Sequence, residues 1–249
     1  IKAISFTGST ATGRTIARSC GENLKKVSLE LGGKNPNIIF ADCHWEQALT
    51  NTLRAAFSNS GQICLCGSRI FIEASIYDRF KTELAERARA LKVGDPRLRD
   101  TQMGSVVSQV HYEKVLGHLD LARKQGGTFL TGGQAAKISG RCQNGWFVTP
   151  TLIEGLDAAC TTNQEEIFGP VATLIPFTSE DEVIKGANGV NYGLSASVWT
   201  QDVTRAHRVA ERLEAGVVWI NSWMIRDLRT PFGGMKASGV GREGGFEAM

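Results

Sequence analysis

No apolar run in this chain is long enough to cross a bilayer as a helix, and the first residues have the layout of neither a signal peptide nor a transit peptide. Membrane insertion and secretory routing are therefore not expected. Excess charge is also missing. The 28 basic and 25 acidic side chains leave a net +3, too little and too dispersed for the basic footprint that nucleic acid requires. Internal repeats and low-complexity tracts are absent. The six cysteines, at positions 20, 43, 64, 66, 142 and 160, include no CxxC and no Cys/His cluster, so no metal site is expected. Thiols scattered through a chain of ordinary size fit a reduced, cytoplasmic setting. The four histidines, His44, His111, His118 and His207, lack a catalytic partner pattern, and each reads as solvated or structural.

What the chain does have is an ordinary globular composition. Its 249 residues, 42% hydrophobic with 28 glycines, can bury a sizeable core in one large domain or one and a half. Strand-like and helix-like stretches alternate, the pattern of an α/β protein. Helical spacing runs from Trp45 to Phe57, along Ile76, Tyr77, Phe80, Leu84, Ala88 and Leu91, and along Val110, Val115, Leu119 and Ala122 up to Gly126-Gly127. Further helices are expected at Asp181–Ala187 and Val203–Glu214. Strands are expected at Asn37–Phe40, Ser68–Glu73, Phe147–Thr149, Ala172–Phe177, Ser195–Trp199 and Val217–Ile220, with a surface excursion over Gly132–Gly145. Near the start, Ala3–Phe6 reads as a short buried strand, Gly8 to Gly13 as a turn, and Thr12 to Cys20 as a helix. Strand, glycine turn and helix N-terminus together can offer N–H groups to a phosphate. This G-S-T-x-x-G is not the G-x-G-x-x-G fingerprint, so a plain strand-to-helix turn reads it equally well.

Two short segments carry chemistry. Cys64 lies in Asn59-Ser60-Gly61-Gln62-Ile63-Cys64-Leu65-Cys66, where Gly61 and Gln62 break the preceding helix and a strand follows. That places it on an exposed connection, where a thiol of lowered pKa can act as a nucleophile. Glu30 lies in Leu29-Glu30-Leu31-Gly32-Gly33-Lys34. A thiol that attacks a carbonyl and a carboxylate that activates water are the minimal side-chain equipment, beside a hydride acceptor, for oxidising an aldehyde through a thioester. A buried structural cysteine and a surface carboxylate are the alternatives that these residues alone leave open.

Glu30-Leu31-Gly32-Gly33-Lys34, Gly61-Gln62-Ile63-Cys64 and Glu165-Glu166-Ile167-Phe168-Gly169-Pro170 together resemble the signatures of the aldehyde dehydrogenase superfamily, in its order and close to its spacing. The likeness covers essentially the whole chain. It implies a Rossmann-like remnant of an NAD domain followed by an α/β catalytic domain, divided as 1–33, 34–236 and a C-terminal segment 237–249. It implies Cys64 as nucleophile and Glu30 as base. For the cofactor it implies Ser9 near the pyrophosphate, Gly8, Gly13 and Gly32 shaping the backbone, Glu166 on the nicotinamide ribose and Phe168 packed beside it. NAD is expected, with NADP left open, because the residues that choose between them belong to an earlier strand. The segment Asn221–Gly234 and the run Ile63–Cys66 are similar to the 2-aminomuconic and 2-hydroxymuconic semialdehyde dehydrogenases, a branch that acts in tryptophan, aminophenol or catechol breakdown. That likeness implies a small aldehyde carrying a carboxylate, and Arg226 is expected to hold it through its planar fork. It further implies that the chain begins inside the nucleotide-binding domain and stops before the strand that completes a subunit interface, the full-length protein being a homo-oligomer, dimer or tetramer. A scaffold protein on the same fold would be expected to have lost Cys64 or Glu30, and a cysteine acyltransferase would leave the Glu166-Ile167-Phe168 run unexplained.

Overall fold

The computed structural model describes residues 1–246. The chain runs β1 (Ala3–Thr7), α1 (Thr10–Glu22), β2 (Lys26–Glu30), β3 (Pro36–Ile39), α2 (Trp45–Phe57), β4 (Arg69–Glu73), α3 (Tyr77–Ala90), α4 (Gln109–Lys124), β5 (Thr128–Thr131), β6 (Thr151–Glu154), α5 (Thr161–Gln164), β7 (Val171–Phe177), α6 (Glu180–Asn188), β8 (Tyr192–Gly193), β9 (Ser195–Trp199), α7 (Val203–Arg212), β10 (Val217–Ile220), β11 (Met235–Lys236) and β12 (Gly239–Val240). Seven strands form the main sheet in the order β10-β9-β3-β4-β7-β6-β5, parallel throughout except for β5, which runs against β6. A smaller sheet has the order β1-β2-β12, and β8 with β11 makes a two-stranded ribbon.

The main sheet is covered on both faces because successive side chains on a strand point opposite ways. Ile39, Ile70, Ile72 and Leu174 pack against Leu49, Phe80, Leu84 and Ala88 of α2 and α3. Ile38, Phe71, Phe177 and Val198 pack against Val183 and Ile184 of α6 and Val209 of α7. Each such side chain contributes roughly 1.5–3 kcal/mol by leaving water. Two-sided burial also explains why β4 is buried from Arg69 to Ile72 rather than alternating as expected: a central parallel strand meets helices on both sides.

Most expected elements are present, several with their expected ends. Four readings are corrected. The strand at Ala3–Thr7 is not buried but alternates between exposed and half-buried residues, since it is an edge strand paired only with β2. Helix α1 begins at Thr10, capped by Ser9, so Gly13 lies inside its first turns rather than in the preceding turn. Phe147–Thr149 forms only an isolated bridge, Val148 opposite Ala135, and the strand starts after Pro150, which has no N–H to give a ladder. Val110 is 78% exposed; the buried stripe of α4 is Val115, Leu119 and Ala122. Strands β2, β5 and β6 were not expected, being four or five residues long with threonine, lysine and glutamate among them.

Candidate active site

Three adjacent strands of the main sheet, β3, β4 and β7, begin at one level, with Pro36 opposite Arg69 and Arg69 opposite Thr173. Parallel pairing therefore brings their lead-in segments side by side. These are Glu30–Asn35, Asn59–Ser68 and Glu165–Pro170, which contain the three motifs. Glycines let them touch. A side chain on Gly33 would sit 2.5 Å from the Cys64 carbonyl, one on Gly32 would overlap the Glu166 carboxylate, and one on Gly61 would overlap the Gly169 carbonyl.

The turn before Cys64 is locally strained. Asn59, Ser60 and Gly61 follow one another at φ +52°, +56° and +71°, a run that L-residues adopt only when their surroundings enforce it. Asn59 Nδ2 donates to the Gln62 carbonyl at 3.0 Å and Ser60 Oγ donates to the Gly104 carbonyl at 2.9 Å. The turn reverses the chain out of α2 and delivers Cys64, half-buried, to a cleft of about 500 Å³. The cleft is lined by Thr7, Gly8 and Ser9, by Glu30 to Gly32, by Gln62 to Cys64, and by His111, Lys114, Glu166 and Phe168.

Glu30 ends β2 and is only 5% exposed. Burial, reinforced by the neighbouring Glu243 and opposed by Arg242 and Arg226, raises its carboxyl to a pKa of about 7. Its Oε1 is buried without a hydrogen-bond partner among the described residues. A carboxylate of that pKa can take a proton from water near neutrality. The thiol of Cys64 departs from expectation: desolvation, then the carboxylates of Glu166 and Glu30, raise its pKa, against the pull of its own N–H and of Arg226. These residues do not supply a ready thiolate, so a base must assist. Cys66 is buried and its thiol is pushed up to about 12, which leaves it chemically quiet.

Glu166 is held by the Gly33 N–H, which donates to Oε1 at 2.9 Å; burial raises its pKa while that bond and Lys114 and Lys34 oppose the shift. Oε2 is left to face the cleft. Phe168 takes φ +59°, and His111 Nε2 lies 2.6 Å from its carbonyl oxygen, with the two rings edge to face at 5.9 Å. Ser9 spends its hydroxyl on the helix, accepting from the Thr12 N–H at 3.2 Å, while Gly8 donates its N–H to the Glu30 carbonyl at 3.0 Å. Gly13 does not line the cleft; it packs under Leu31, whose Cδ2 a side chain there would meet at 2.5 Å. Arg226 is exposed, and its guanidinium stacks 4.0 Å from the Phe232 ring centre.

The fold thus gathers Cys64, Glu30, Gly8, Ser9, Gly32, Glu166 and Phe168 around one cleft and sets Arg226 near its carboxylate. His111 and Lys114, read from the sequence as unremarkable, line it too. They lie three residues apart on the face of α4 flanking its buried stripe, a spacing visible in the sequence but silent about what that face would meet.

The sequence profile of the aldehyde dehydrogenase family matches residues 1–249. The chain is 51% identical to the 2-aminomuconic 6-semialdehyde dehydrogenase of Pseudomonas sp. over 100% of its own length and 51% of that protein's. It is 47% identical to the 2-hydroxymuconic semialdehyde dehydrogenase of Pseudomonas putida, again over 100% of this chain and 51% of the relative. The chain spans about half the length of the curated relatives it matches. Among solved structures, the betaine aldehyde dehydrogenase of Staphylococcus aureus in complex with NAD+ superposes with a TM-score of 0.96 at 40% identity, over 100% of this chain and 49% of that one.

Proposed function

The chain belongs to the aldehyde dehydrogenase family, and we propose that its site oxidises an aldehyde carrying a carboxylate, a 2-aminomuconate or 2-hydroxymuconate semialdehyde, to the acid through a thioester on Cys64. The observation that carries this reading is the pairing of a half-buried thiol with a buried carboxylate of pKa about 7 in one cleft. Glu30, ionised, takes the proton of the thiol, and the sulfur forms a bond to the aldehyde carbon. The oxyanion so created meets the Cys64 backbone N–H. NAD, when bound, accepts the hydride that the substrate carbon gives up. Glu30 passes that proton to solvent and, ionised again, takes a proton from water; the oxygen bonds to the acyl carbon, and the carbon–sulfur bond breaks, the sulfur recovering the proton from Glu30, to free the acid and restore Cys64.

The cleft suits a dinucleotide by its own features. Gly32 has no side chain to compete with the Glu166 carboxylate, whose Oε2 would accept from a ribose hydroxyl, and Phe168 and the N-terminal end of α1 at Ser9 lie along the same wall. Residues 1–33 would serve the nucleotide and carry the base Glu30, 34–236 would form the catalytic domain with Cys64, and in the C-terminal segment 237–249 Gly239 and Val240 pair with β2, residues 247–249 lying outside the described residues. Arg226 would be the carboxylate's partner, and the full-length protein would be a cytoplasmic homo-oligomer acting in aromatic breakdown; the exposed guanidinium beside the cleft supports the first of these. No described helix is long and apolar enough to cross a membrane.

The test separates the half-reactions. With a muconic semialdehyde and NAD+, Cys64→Ser should lose turnover by several orders of magnitude while Cys66→Ala keeps most of it. Glu30→Gln, in which the thiol must lose its proton to solvent instead, should release NADH in a slower burst near one equivalent and then stall. In the native enzyme, turnover should rise through about pH 7 as Glu30 ionises. A Cys64→Ser enzyme that still turns over would sink the reading; a Glu30→Gln enzyme without a burst would move Glu30 to thiol activation alone.

A further inference from the structure

Three consecutive carbonyls of the nucleophile segment are held by buried side chains. Asn35 Nδ2 donates to the Cys64 carbonyl at 2.7 Å and to the Cys66 carbonyl at 2.9 Å, and Trp223 Nε1 donates to the Leu65 carbonyl at 3.0 Å. Both donors belong to buried residues, Asn35 3% and Trp223 6% exposed. They reach the segment from opposite parts of the chain. Asn35 closes the stretch that begins with Glu30, and Trp223 opens the stretch that carries Arg226. The Asn35 amide has one orientation that satisfies its neighbours: Oδ1 accepts from the Ser195 N–H at 3.0 Å while Nδ2 faces two carbonyls, and a flipped amide would set oxygen against oxygen. Two residues further along β3, on the same face, Asn37 Nδ2 donates to Thr52 Oγ1 of α2 at 2.8 Å and Oδ1 accepts from Trp199 Nε1 at 2.7 Å. The helix that feeds the turn and the segment that follows it are thereby tied to one strand.

Packing alone would not call for these groups, since a buried amide is costly unless its bonds are made and apolar side chains fill space without that cost. The bonds go to the stretch of chain that must hold the reacting sulfur in place, between a strained turn and a central strand. We propose that Asn35 and Trp223 are positioning residues for the nucleophile, fixing the Cys64–Leu65–Cys66 backbone so that the thiol faces Glu30 on one side and the incoming aldehyde on the other. This deepens the function proposed above and rests on it. Through the same two residues, the stretches bearing the base and the carboxylate-binding arginine are each one hydrogen bond from the nucleophile's backbone.

Asn35→Leu removes all three bonds while keeping the number and branching of heavy atoms, and Trp223→Phe removes one N–H while keeping most of the ring. With the intact enzyme, Trp223→Phe should lower kcat about tenfold and Asn35→Leu about a hundredfold or more, with KM for NAD+ within roughly threefold, because a misplaced reacting atom costs rate rather than binding. Alkylation of Cys64 by iodoacetamide, which requires neither cofactor nor aldehyde, should slow in parallel. Should Asn35→Leu fail to fold, Trp223→Phe decides. A folded variant with kcat and alkylation rate both within about threefold of the native enzyme overturns the proposal, as does a loss confined to KM. Failure of the dehydrogenase reading looks different: the native enzyme would form no NADH, whereas the alkylation comparison would still report on the clamp.

Discussion

Arg226 shows how far a single residue can be read before its neighbours are known. Read from the sequence alone, an arginine beside Asp227 could be the surface half of an ion pair. In the fold, Asp227 is held instead by Arg229, whose Nε donates to it at 2.9 Å, and Arg226 has no carboxylate partner among the described residues. It lies instead on Phe232 and close enough to Glu30 and Cys64 to lower both pKa values. A cation kept free of partners beside the reacting groups suits an anionic substrate. Arg226→Ala should therefore cut kcat/KM for a muconic semialdehyde by about ten- to a hundredfold, the loss of one charge-assisted bond worth roughly 1.5–3 kcal/mol. An uncharged aldehyde of similar length should be largely spared, and equal losses on both would remove the assignment. That Cys64 and Glu30 share one cleft agrees with the motifs that singled them out in the sequence. Their electrostatics were not legible there, since the carboxylates that raise the thiol come from positions 30 and 166, and only folding sets such distances.

The elements that were legible are those whose apolar residues repeat at a single period: α2, β9 and β10 have the ends expected of them. The short strands β5 and β6 carry no such period, and in β2 only Val27 and Leu29 alternate with polar residues; all three owe their existence to the strands beside them. Convergence of the three motifs was likewise invisible in the sequence, because it follows from the order β3-β4-β7, in which β4 and β7 are neighbours although about a hundred residues separate them. Arg69 holds that arrangement at its lower edge. It opens β4, is 2% exposed, and its guanidinium donates to the Lys34 carbonyl at 2.9 Å, to Gly186 at 2.8 Å and to Ala187 at 2.7 Å. The last two are carbonyls near the C-terminal end of α6, which a helix leaves without internal partners and which attract positive charge. Arg69→Leu would strand the Lys34 and Ala187 carbonyls, while Gly186 would keep only the Gly189 N–H at 3.3 Å. Each costs about 1–3 kcal/mol, so denaturant unfolding should show a loss of roughly 3 kcal/mol or more, and a loss below about 1 kcal/mol would mean that water reaches those carbonyls.

At the scale of the whole molecule, the site lies where the end of one sheet meets the start of another. Glu30 closes β2 of the small sheet and Pro36 opens β3 of the large one, so five residues carry the chain across, and the fourth of them is a buried lysine. Lys34 is 2% exposed, with Arg69 adding to the cost of its charge and Glu166, Cys160 and Glu165 relieving part of it; burial dominates and lowers its pKa to about 7. The consequence for stability has a definite sign. An unfolded lysine titrates near 10.4, so between about pH 7 and pH 10 the unfolded chain binds a proton that the native chain does not, and native stability rises with pH across that window. Below pH 7 both states hold the proton and the full cost of burying the charge is felt. Lys34→Met keeps the length of the side chain and removes the titration, so its stability relative to the native protein should be greatest at about pH 6 to 7 and should fall steadily as pH approaches 10. Parallel urea titrations of the two proteins bring out this group, because apart from Glu166 and His118, whose pKa values Lys34 lowers, the other ionisations are shared. A gap that stays constant over the window would mean that Lys34 keeps an ordinary pKa in the folded state, and that Glu166 and Glu165 compensate its charge in full.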